Sequence, residues 1–378
     1  MLKNLIDSEI FFDYWRNIDK NILFGFLALF FLGIFFSFSS TSSLAGERLN
    51  KDFYFFFSKH LLFASFAIIL MFAISFIKIS FLKKMIFPLF IFSFILLLLV
   101  PIIGLEVKGA KRWLDLFLFR LQPIELIKPF FVLFVVRIID HYNKKNSYFS
   151  YTLSFLTLIL VVLLLLNQPD VGQSILLILT WMSIIFISGI KISYIIFFLI
   201  LSVISLIFLF FLFPEKFGYI IQRVATFYDP AKGDNFQTEK ALAAIKQGGL
   251  KGIGMGEGIL KDSVPEAHTD YVIAVITEEF GSIISIFVIL IFLYISFRII
   301  KICIKSNNDV AKLSLCGLSS LLIFQTFIHI GVNTSLLPTT GMTLPFLSYG
   351  GSSLIGSSIL AGVILNLTKT RFDNEKYE

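Results

Sequence analysis

Long apolar runs, near 21–40, 60–78, 84–104, 121–139, 151–167, 171–189, 192–213, 270–300, 312–333 and 344–368, recur through all of this 378-residue chain. A hydrocarbon core about 30 Å thick is crossed by roughly 20 helical residues at about 1.5 Å each. These runs reach that length, and they are longer than the core helices of a globular domain need. Charged residues, 15% of a chain that is 57% hydrophobic, gather between the runs. The pattern predicts an all-α, polytopic integral membrane protein of about ten transmembrane helices. Residues 1–378 then form a single membrane domain with a large extracytoplasmic loop, 214–269, between the seventh and eighth helices.

Other features carry less. The 47 Phe, with abundant Ile, Lys and Asn, fit the codon drift of an AT-rich genome and receive no mechanistic weight. Cys303 and Cys316 show no metal-ligand spacing and imply no disulfide framework. Ser43-Leu44-Ala45 faintly resembles a signal-peptide cleavage site, but the apolar run before it is too long, so an uncleaved first span is expected.

With ten spans the loops alternate sides, and one set of loops carries 17 Lys and Arg against 7 in the opposite short loops. The 214–269 loop adds 7 more, balanced by seven acids. The positive-inside rule therefore places both termini in the cytoplasm. Segments 105–120, 214–269 and 334–343, the richest in unusual polar residues, then face outward and imply a functional face outside the cytoplasmic membrane. The net charge of +7 fits anchoring to anionic inner-leaflet lipid, and nothing in its distribution points to nucleic acid.

Five polar constellations stand on or near that face. Gly109-Ala110-Lys111-Arg112-Trp113 breaks the charge rule locally, as a contact for an anion such as a lipid pyrophosphate would; an interfacial Trp beside snorkelling cations is the alternative. Gln122-Pro123-Ile124-Glu125-Leu126-Ile127-Lys128 opens the fourth span, with Gln122, Glu125 and Lys128 on one helical side. An intramembrane Lys128 needs a partner or a wet cavity, so a structural Glu125–Lys128 pair and a substrate-cavity pair both stay open.

Arg223-Val224-Ala225-Thr226-Phe227-Tyr228-Asp229-Pro230 and the glycine-rich 248–258 stretch fill the large loop. No strand leads into the glycines and no Gly-Lys-Ser/Thr follows, so a nucleotide-phosphate loop is excluded in favour of a bent, substrate-adaptable one. Arg223 is either an anion clamp or a solvated charge. Pro265-Glu266-Ala267-His268-Thr269-Asp270 ends the same loop. Asp270 can cap the following helix. It can also hold a metal or stabilise transition-state charge, or act as a general base where desolvated. His268 is either part of that site or an interfacial imidazole.

Glu278 and Glu279 lie roughly 12–14 Å deeper along a continuous helix, with Glu278 about 80° round from Asp270, so at most Glu278 shares its cavity; either needs a buried partner such as Lys128. Near the end of the chain, Asn333 precedes the segment Leu337 to Ser353, with Pro338 and Pro345 and dense small residues. Non-helical backbone at membrane depth occurs around a cavity or inside protein. The later positions Ser352, Gly356, Ser358 and Gly362 read as small-residue helix packing.

Taken in order, these motifs resemble the SEDS family of peptidoglycan polymerases, with its Gly-Ala-Lys-Arg-Trp, Gln-Pro-x-Glu-x-x-Lys, Arg-x-x-x-Phe-x-Asp-Pro, Pro-Glu-x-His-Thr-Asp and Leu-Pro-Phe-x-Ser-Tyr-Gly-Gly-Ser-Ser patterns. The match covers about 109–353, and within the family the 265–270 and 343–354 segments look more like the division branch than the elongation branch. Ile124 departs from the usual Ser.

The resemblance implies polymerisation of lipid II into β-1,4 glycan strands with release of undecaprenyl pyrophosphate, for septal wall synthesis in division. Asp270 matches the family's essential aspartate. Lys111, Arg112, Trp113, Glu125, Lys128, Arg223, His268, Asn333, Ser348 and Tyr349 are then expected on the substrate. A divalent cation, Mg²⁺ or Mn²⁺, held at Asp270 would assist pyrophosphate departure, and no organic cofactor is implied. The implied partners are lipid II, the nascent glycan strand, a class B penicillin-binding protein that crosslinks, and other division-site membrane proteins. A lipid II flippase, a division scaffold and an elongation-type polymerase are the alternative readings.

Overall fold

The computed structural model describes residues 8–39, 54–107, 109–117, 119–143, 147–212, 214–229, 236–260 and 263–369. Ser43-Leu44-Ala45, Pro230 and the basic residues Lys3, Arg48, Lys51, Lys108, Lys144, Lys145, Arg371 and Lys376 lie outside the described residues.

Helices occupy every predicted apolar run. After a short amphipathic α1 (Ser8–Asn17) come α2 (Lys20–Ser39), α3 (Phe55–Phe76), α4 (Ile79–Ile103), α5 (Pro123–Asn143), α6 (Ser147–Asn167), α7 (Val171–Ile187) and α8 (Ile192–Leu212). The large loop holds α9 (Pro214–Tyr228) and α10 (Phe236–Gly248), and the chain closes with α11 (Val272–Lys305), α12 (Asp309–Asn333) and α13 (Gly351–Leu367). Among the described residues six helices are long and apolar enough to cross a membrane: α2, α3, α4, α6 from Tyr148, α11 and α12. Val171–Ile187, Ile192–Ile204 and Gly351–Leu367 are shorter apolar helices, while α5 has the length but carries Glu125, Lys128, Arg137 and Asp140. Outward-facing apolar side chains such as Ile69, Phe92 and Phe297 remain exposed, as lipid-facing positions should.

The chain is not wholly helical. The expected outer loop after α4 is a small antiparallel sheet of β1 (Leu105–Val107), β2 (Ala110–Asp115) and β3 (Arg120–Leu121), in the order β1-β2-β3. Gly109 turns β1 into β2 at φ 75°, in a region that suits glycine. The last helix also begins later than its apolar run, at Gly351, because Pro345 and a positive φ at Phe346 hold 344–350 out of helix.

Helix α11 is two helices joined at Gly281, whose φ of 83° and ψ of 168° are not helical. In an unbroken helix the amides of Ser282 and Ile283 would bond the carbonyls of Glu278 and Glu279. They bond Gly249 O and Leu250 O instead, at 2.9 and 3.4 Å, and the vacated carbonyls accept from Ile253 N and Gly254 N at 3.0 and 3.1 Å. These four backbone groups at the break are thereby satisfied by the 249–254 segment. A Cβ on Gly248, Gly252 or Gly281 would overlap a carbonyl oxygen across this contact.

The glycine-rich stretch, expected to be a substrate-adaptable loop, is thus docked into a broken helix at its 248–254 end, and its glycines permit backbone to lie on backbone. Gly252→Ala places a methyl against Glu279 O at a residue with φ 78°, and is expected to cost about 2 kcal/mol or more. A lowered midpoint of thermal unfolding in detergent would report it, with Gly218→Ala, at a site with open space, as the control.

Small residues on α13 admit neighbours as predicted. Pro129 inside α5 leaves Glu125 O without its helical donor, and Gly356 stands so near that carbonyl that any side chain would clash. Gly362 meets Met71 O and Ile74 of α3 in the same way. Asn366 Nδ2 then donates to Ile74 O, Ser75 O and Ile77 O, satisfying carbonyls at the end of α3.

Candidate functional site

Strand β2 presents Lys111, Arg112 and Trp113, all half-buried. The guanidinium of Arg112 reaches the turn between α6 and α7, where Nε donates to Gln168 O at 3.1 Å and Nη2 donates to Pro169 O. Its remaining nitrogen, Nη1, lies 3.7 Å from the point where a Cβ on Gly341 would stand, and Asp270 Oδ2 lies 3.4 Å from the same point. Gly341, at φ 67°, has no side chain to separate them. A strand hairpin, a helix-leading turn and the 334–350 segment thus bring a carboxylate and a guanidinium to one place.

Asp270 is not the cap of α11; the N-cap position belongs to Tyr271. The Asp270 backbone is fixed from two sides, with its N–H on Glu266 O at 3.0 Å and its C=O accepting from Asn333 Nδ2, also at 3.0 Å. Asn333 Nδ2 donates as well to His329 O, and its Oδ1 accepts from Ala274 N in the first turn of α11. Ser348 Oγ donates to Thr269 O at 2.6 Å and accepts from Leu344 N, and Tyr349 N donates to His268 O at 2.8 Å.

Asn333 and Ser348 were expected on substrate. They are 0% and 1% exposed, with their polar atoms engaged by the loops on either side, so they hold Asp270 in place rather than touch a ligand. His268 and Tyr349 both pack their rings on Phe56, each with centroids 5.4 Å apart.

Glu125 and Lys128 form an ion pair at 2.8 Å, the two side chains only 3% and 4% exposed. Gln173 Nε2 donates to Glu125 Oε1, Lys128 Nζ donates to Gln325 Oε1, and Gln325 Nε2 donates to Thr343 O, each at 3.0–3.1 Å. The void beside them is about 10 Å³, room for no more than one water. Of the two roles left open, the contacts favour the structural one: the pair links α5 to α7, α12 and the segment leading to α13.

The deeper acids find partners on other segments. Glu278 Oε1 accepts from Leu260 N of the large loop at 2.7 Å, and Glu279 Oε2 accepts from Ser39 Oγ at the end of α2. The large loop thus holds the Glu278 carboxylate and α2 that of Glu279.

Arg223, on α9, donates to Thr339 O at 3.3 Å and lies over the Tyr219 ring at 5.8 Å. It borders a cavity of about 450 Å³ lined also by Gln222, Thr226, Glu239 and Pro338. Burial, and then the positive charge of Arg112, make Arg223 less basic than usual. Asp270 and Arg112 are not on that cavity's wall; the 338–341 turn lies between. Burial pushes Tyr219 up to about 12. Among the described residues no three His, Cys, Asp or Glu side chains gather as a metal cage, so a divalent ion at Asp270 would draw its other ligands from substrate phosphates and water.

Asp170 was missed in the sequence, although Gln-Pro-Asp before an apolar helix is a capping signal. Its Oδ1 accepts from Gln173 N as the N-cap of α7. Burial raises its pKa, while Arg112 opposes that rise. A carboxyl raised on folding adds stability below its unfolded value of about 3.9 and loses it as pH climbs through the folded value. Asp170→Asn keeps the cap and removes the buried charge. The variant is expected to gain stability over wild type as pH rises from 4 to about 7, measured as the difference in unfolding midpoint across that range.

The chain matches the family described as "Cell cycle protein", that of FtsW, RodA and SpoVE, over residues 20–372. It is 33% identical over 359 residues to a protein of Caulobacter vibrioides named "Probable peptidoglycan glycosyltransferase FtsW", covering 95% of this chain and 91% of that one. The protein of the same name from Haemophilus ducreyi is 34% identical, covering 92% and 89%. Among solved structures, RodA of Thermus thermophilus has a TM-score of 0.70 at 24% identity, with 96% of this chain and 99% of that one covered. A chain from a structure described as a peptidoglycan synthase complex that coordinates polymerization and crosslinking has a TM-score of 0.73 at 23% identity, covering 95% and 99%. Those two show the fold. Matched across nearly its whole length and a third identical to full-length relatives, the chain belongs to the FtsW/RodA/SpoVE cell cycle protein family.

Proposed function

We propose that this chain is a peptidoglycan glycosyltransferase of the division type, polymerising lipid II at the outer face of the bacterial cytoplasmic membrane. The observation that carries the reading is the meeting of Asp270 and Arg112 at Gly341, beside the cavity that Arg223 borders. Ten transmembrane helices with both termini cytoplasmic put this cluster, with the 214–269 loop, on the outer side, where lipid-linked disaccharide is presented.

In the reaction the 4-hydroxyl of one disaccharide attacks the anomeric carbon of another. The new C–O bond forms as the bond to pyrophosphate breaks, with inversion to the β-1,4 link. Asp270 takes the hydroxyl proton as general base. Arg112 and Arg223, with Lys111 on the same strand as Arg112, offset charge growing on the departing undecaprenyl pyrophosphate. Asp270 is the residue that would hold a Mg²⁺ or Mn²⁺ ion, which would supply Lewis-acid help to the same departure.

Glu125 and Lys128 are engaged with each other and with Gln173 and Gln325, which supports polymerase over lipid II flippase. Crosslinking falls to a class B penicillin-binding protein, a partnership that the likeness to a peptidoglycan synthase complex supports, together with other division-site proteins at the septum. The test is glycan-chain formation by the purified chain from lipid II, with and without that partner and Mg²⁺. Polymer is the expected result. Its absence under all of these conditions, from folded protein, overturns the reading.

A further inference from the structure

A second cavity, of about 520 Å³, opens at the far end of the bundle, where α1 meets α2 and where α11 and α13 end. Four of its lining residues are basic: Lys20, Arg298, Lys305 and Lys369. The single acid among the described lining residues is Asp19, and it is already occupied. Its Oδ2 pairs with Arg298 at 2.8 Å and also accepts from Arg298 Nε at 3.0 Å, while its Oδ1 accepts from Ile22 N at 3.1 Å.

Among the described residues, three lysines are left around a concavity without a carboxylate of their own. Two are positioned by rings of α1, Lys20 over Trp15 at 5.3 Å and Lys369 over Tyr14 at 5.4 Å. Those rings sit where interfacial aromatics belong, at the end of the spanning helices. Lys369 is half-buried and made less basic by that burial, a cost that a bound anion would offset.

The rest of the lining mixes polar Asn21, Ser306 and Thr368 with apolar residues such as Ile302 and Leu315, and the outward face of α11 beside it carries Phe297 and Ile304, 66% and 75% exposed. Its volume lies within the usual range for small-molecule sites, about 300–1,000 Å³. A pocket that is cationic inside, bordered by interfacial rings and open toward an exposed apolar helix face suits a ligand with an anionic head and apolar tails.

We propose that this cavity binds the phosphate headgroup of an anionic phospholipid, with the acyl chains lying along α11. The proposal uses the membrane orientation argued above, and does not depend on the polymerase reaction. Binding is measured as the shift in thermal unfolding of the full chain in neutral detergent, titrated with dioctanoyl phosphatidylglycerol, dioctanoyl phosphatidylcholine or inorganic phosphate.

A saturable rise with phosphatidylglycerol and none with phosphatidylcholine is expected. The double variant Lys305→Gln with Lys369→Gln should bind about thirtyfold more weakly, since each lysine near an anionic lipid is worth about 1 kcal/mol and about 1.4 kcal/mol is tenfold. Lys301→Gln, exposed near the same end of α11 but outside the cavity, should titrate like wild type. Equal shifts with the two lipids, or a double variant that titrates like wild type, overturn the proposal. Inorganic phosphate acting as well as the lipid, and losing that action in the double variant, would keep the phosphate site and overturn the lipid. Because no arm uses lipid II, failure here is separate from failure of the glycosyltransferase assay.

Discussion

Glycan polymerisation from lipid II by the Asp270→Asn variant is expected to fall by about 10²–10⁴-fold, the range lost with a general base. Asn is nearly isosteric and keeps the backbone through which Glu266, Asn333 and the start of α11 hold this position. The variant should therefore unfold within about a degree of wild type, and the loss should lie in the rate of the chemical step rather than in apparent affinity. Added Mg²⁺ or Mn²⁺ separates the two roles of the carboxylate: activity partly restored at high cation concentration indicates a weakened metal ligand, and unrestored activity indicates the base. Equal polymer from variant and wild type would remove Asp270 from the chemistry and leave Arg112 and Arg223 as binding groups for some other base.

The second large effect is on stability. Lys128→Met is expected to cost about 3–5 kcal/mol, because it leaves the Glu125 carboxylate buried without its counter-charge. Glu125 keeps one donor, Gln173 Nε2, and Gln325 loses the ammonium it accepts from. The exchange Glu125→Lys with Lys128→Glu should recover at least half of that loss, since the side-chain amides of Gln173 and Gln325 can each present either a donor or an acceptor. Recovery of folding together with polymerisation would establish a structural pair. Recovery of folding without any polymerisation would instead return the pair to the substrate, against the roughly 10 Å³ void beside it. The readout is the unfolding midpoint in detergent beside the lipid II assay, on the same preparations.

Much of the architecture was legible because the bilayer restricts the choices. A backbone inside hydrocarbon must satisfy its own hydrogen bonds, so each long apolar run had to be helical, and among the described residues each is over most of its length, with 344–350 the main departure. Three residues from separate motifs, Arg112, Arg223 and Asp270, also lie together next to the 338–341 segment. The roles within a motif were less legible. Asn333 and Ser348 look in sequence like groups offered to a ligand, and in the fold they are buried scaffolding for the Asp270 loop. Glu278 was assigned an angular position by assuming a helix continuous from Asp270, whereas the helix starts at Val272 and Asp270 lies in the turn before it.

By itself, then, the sequence determined that the chain is a bundle of membrane helices and to which family it is similar, since these follow from composition, periodicity and residues adjacent in the chain. Tertiary structure alone decided that Arg112 and Asp270 meet across Gly341, that 249–254 repairs the break in α11, and that Glu125–Lys128 is sealed rather than open. The physical reason is one of range. Hydropathy and helical period are written in neighbouring residues, whereas the partner of a polar atom is chosen by packing between segments far apart in the chain, where no local periodicity records it.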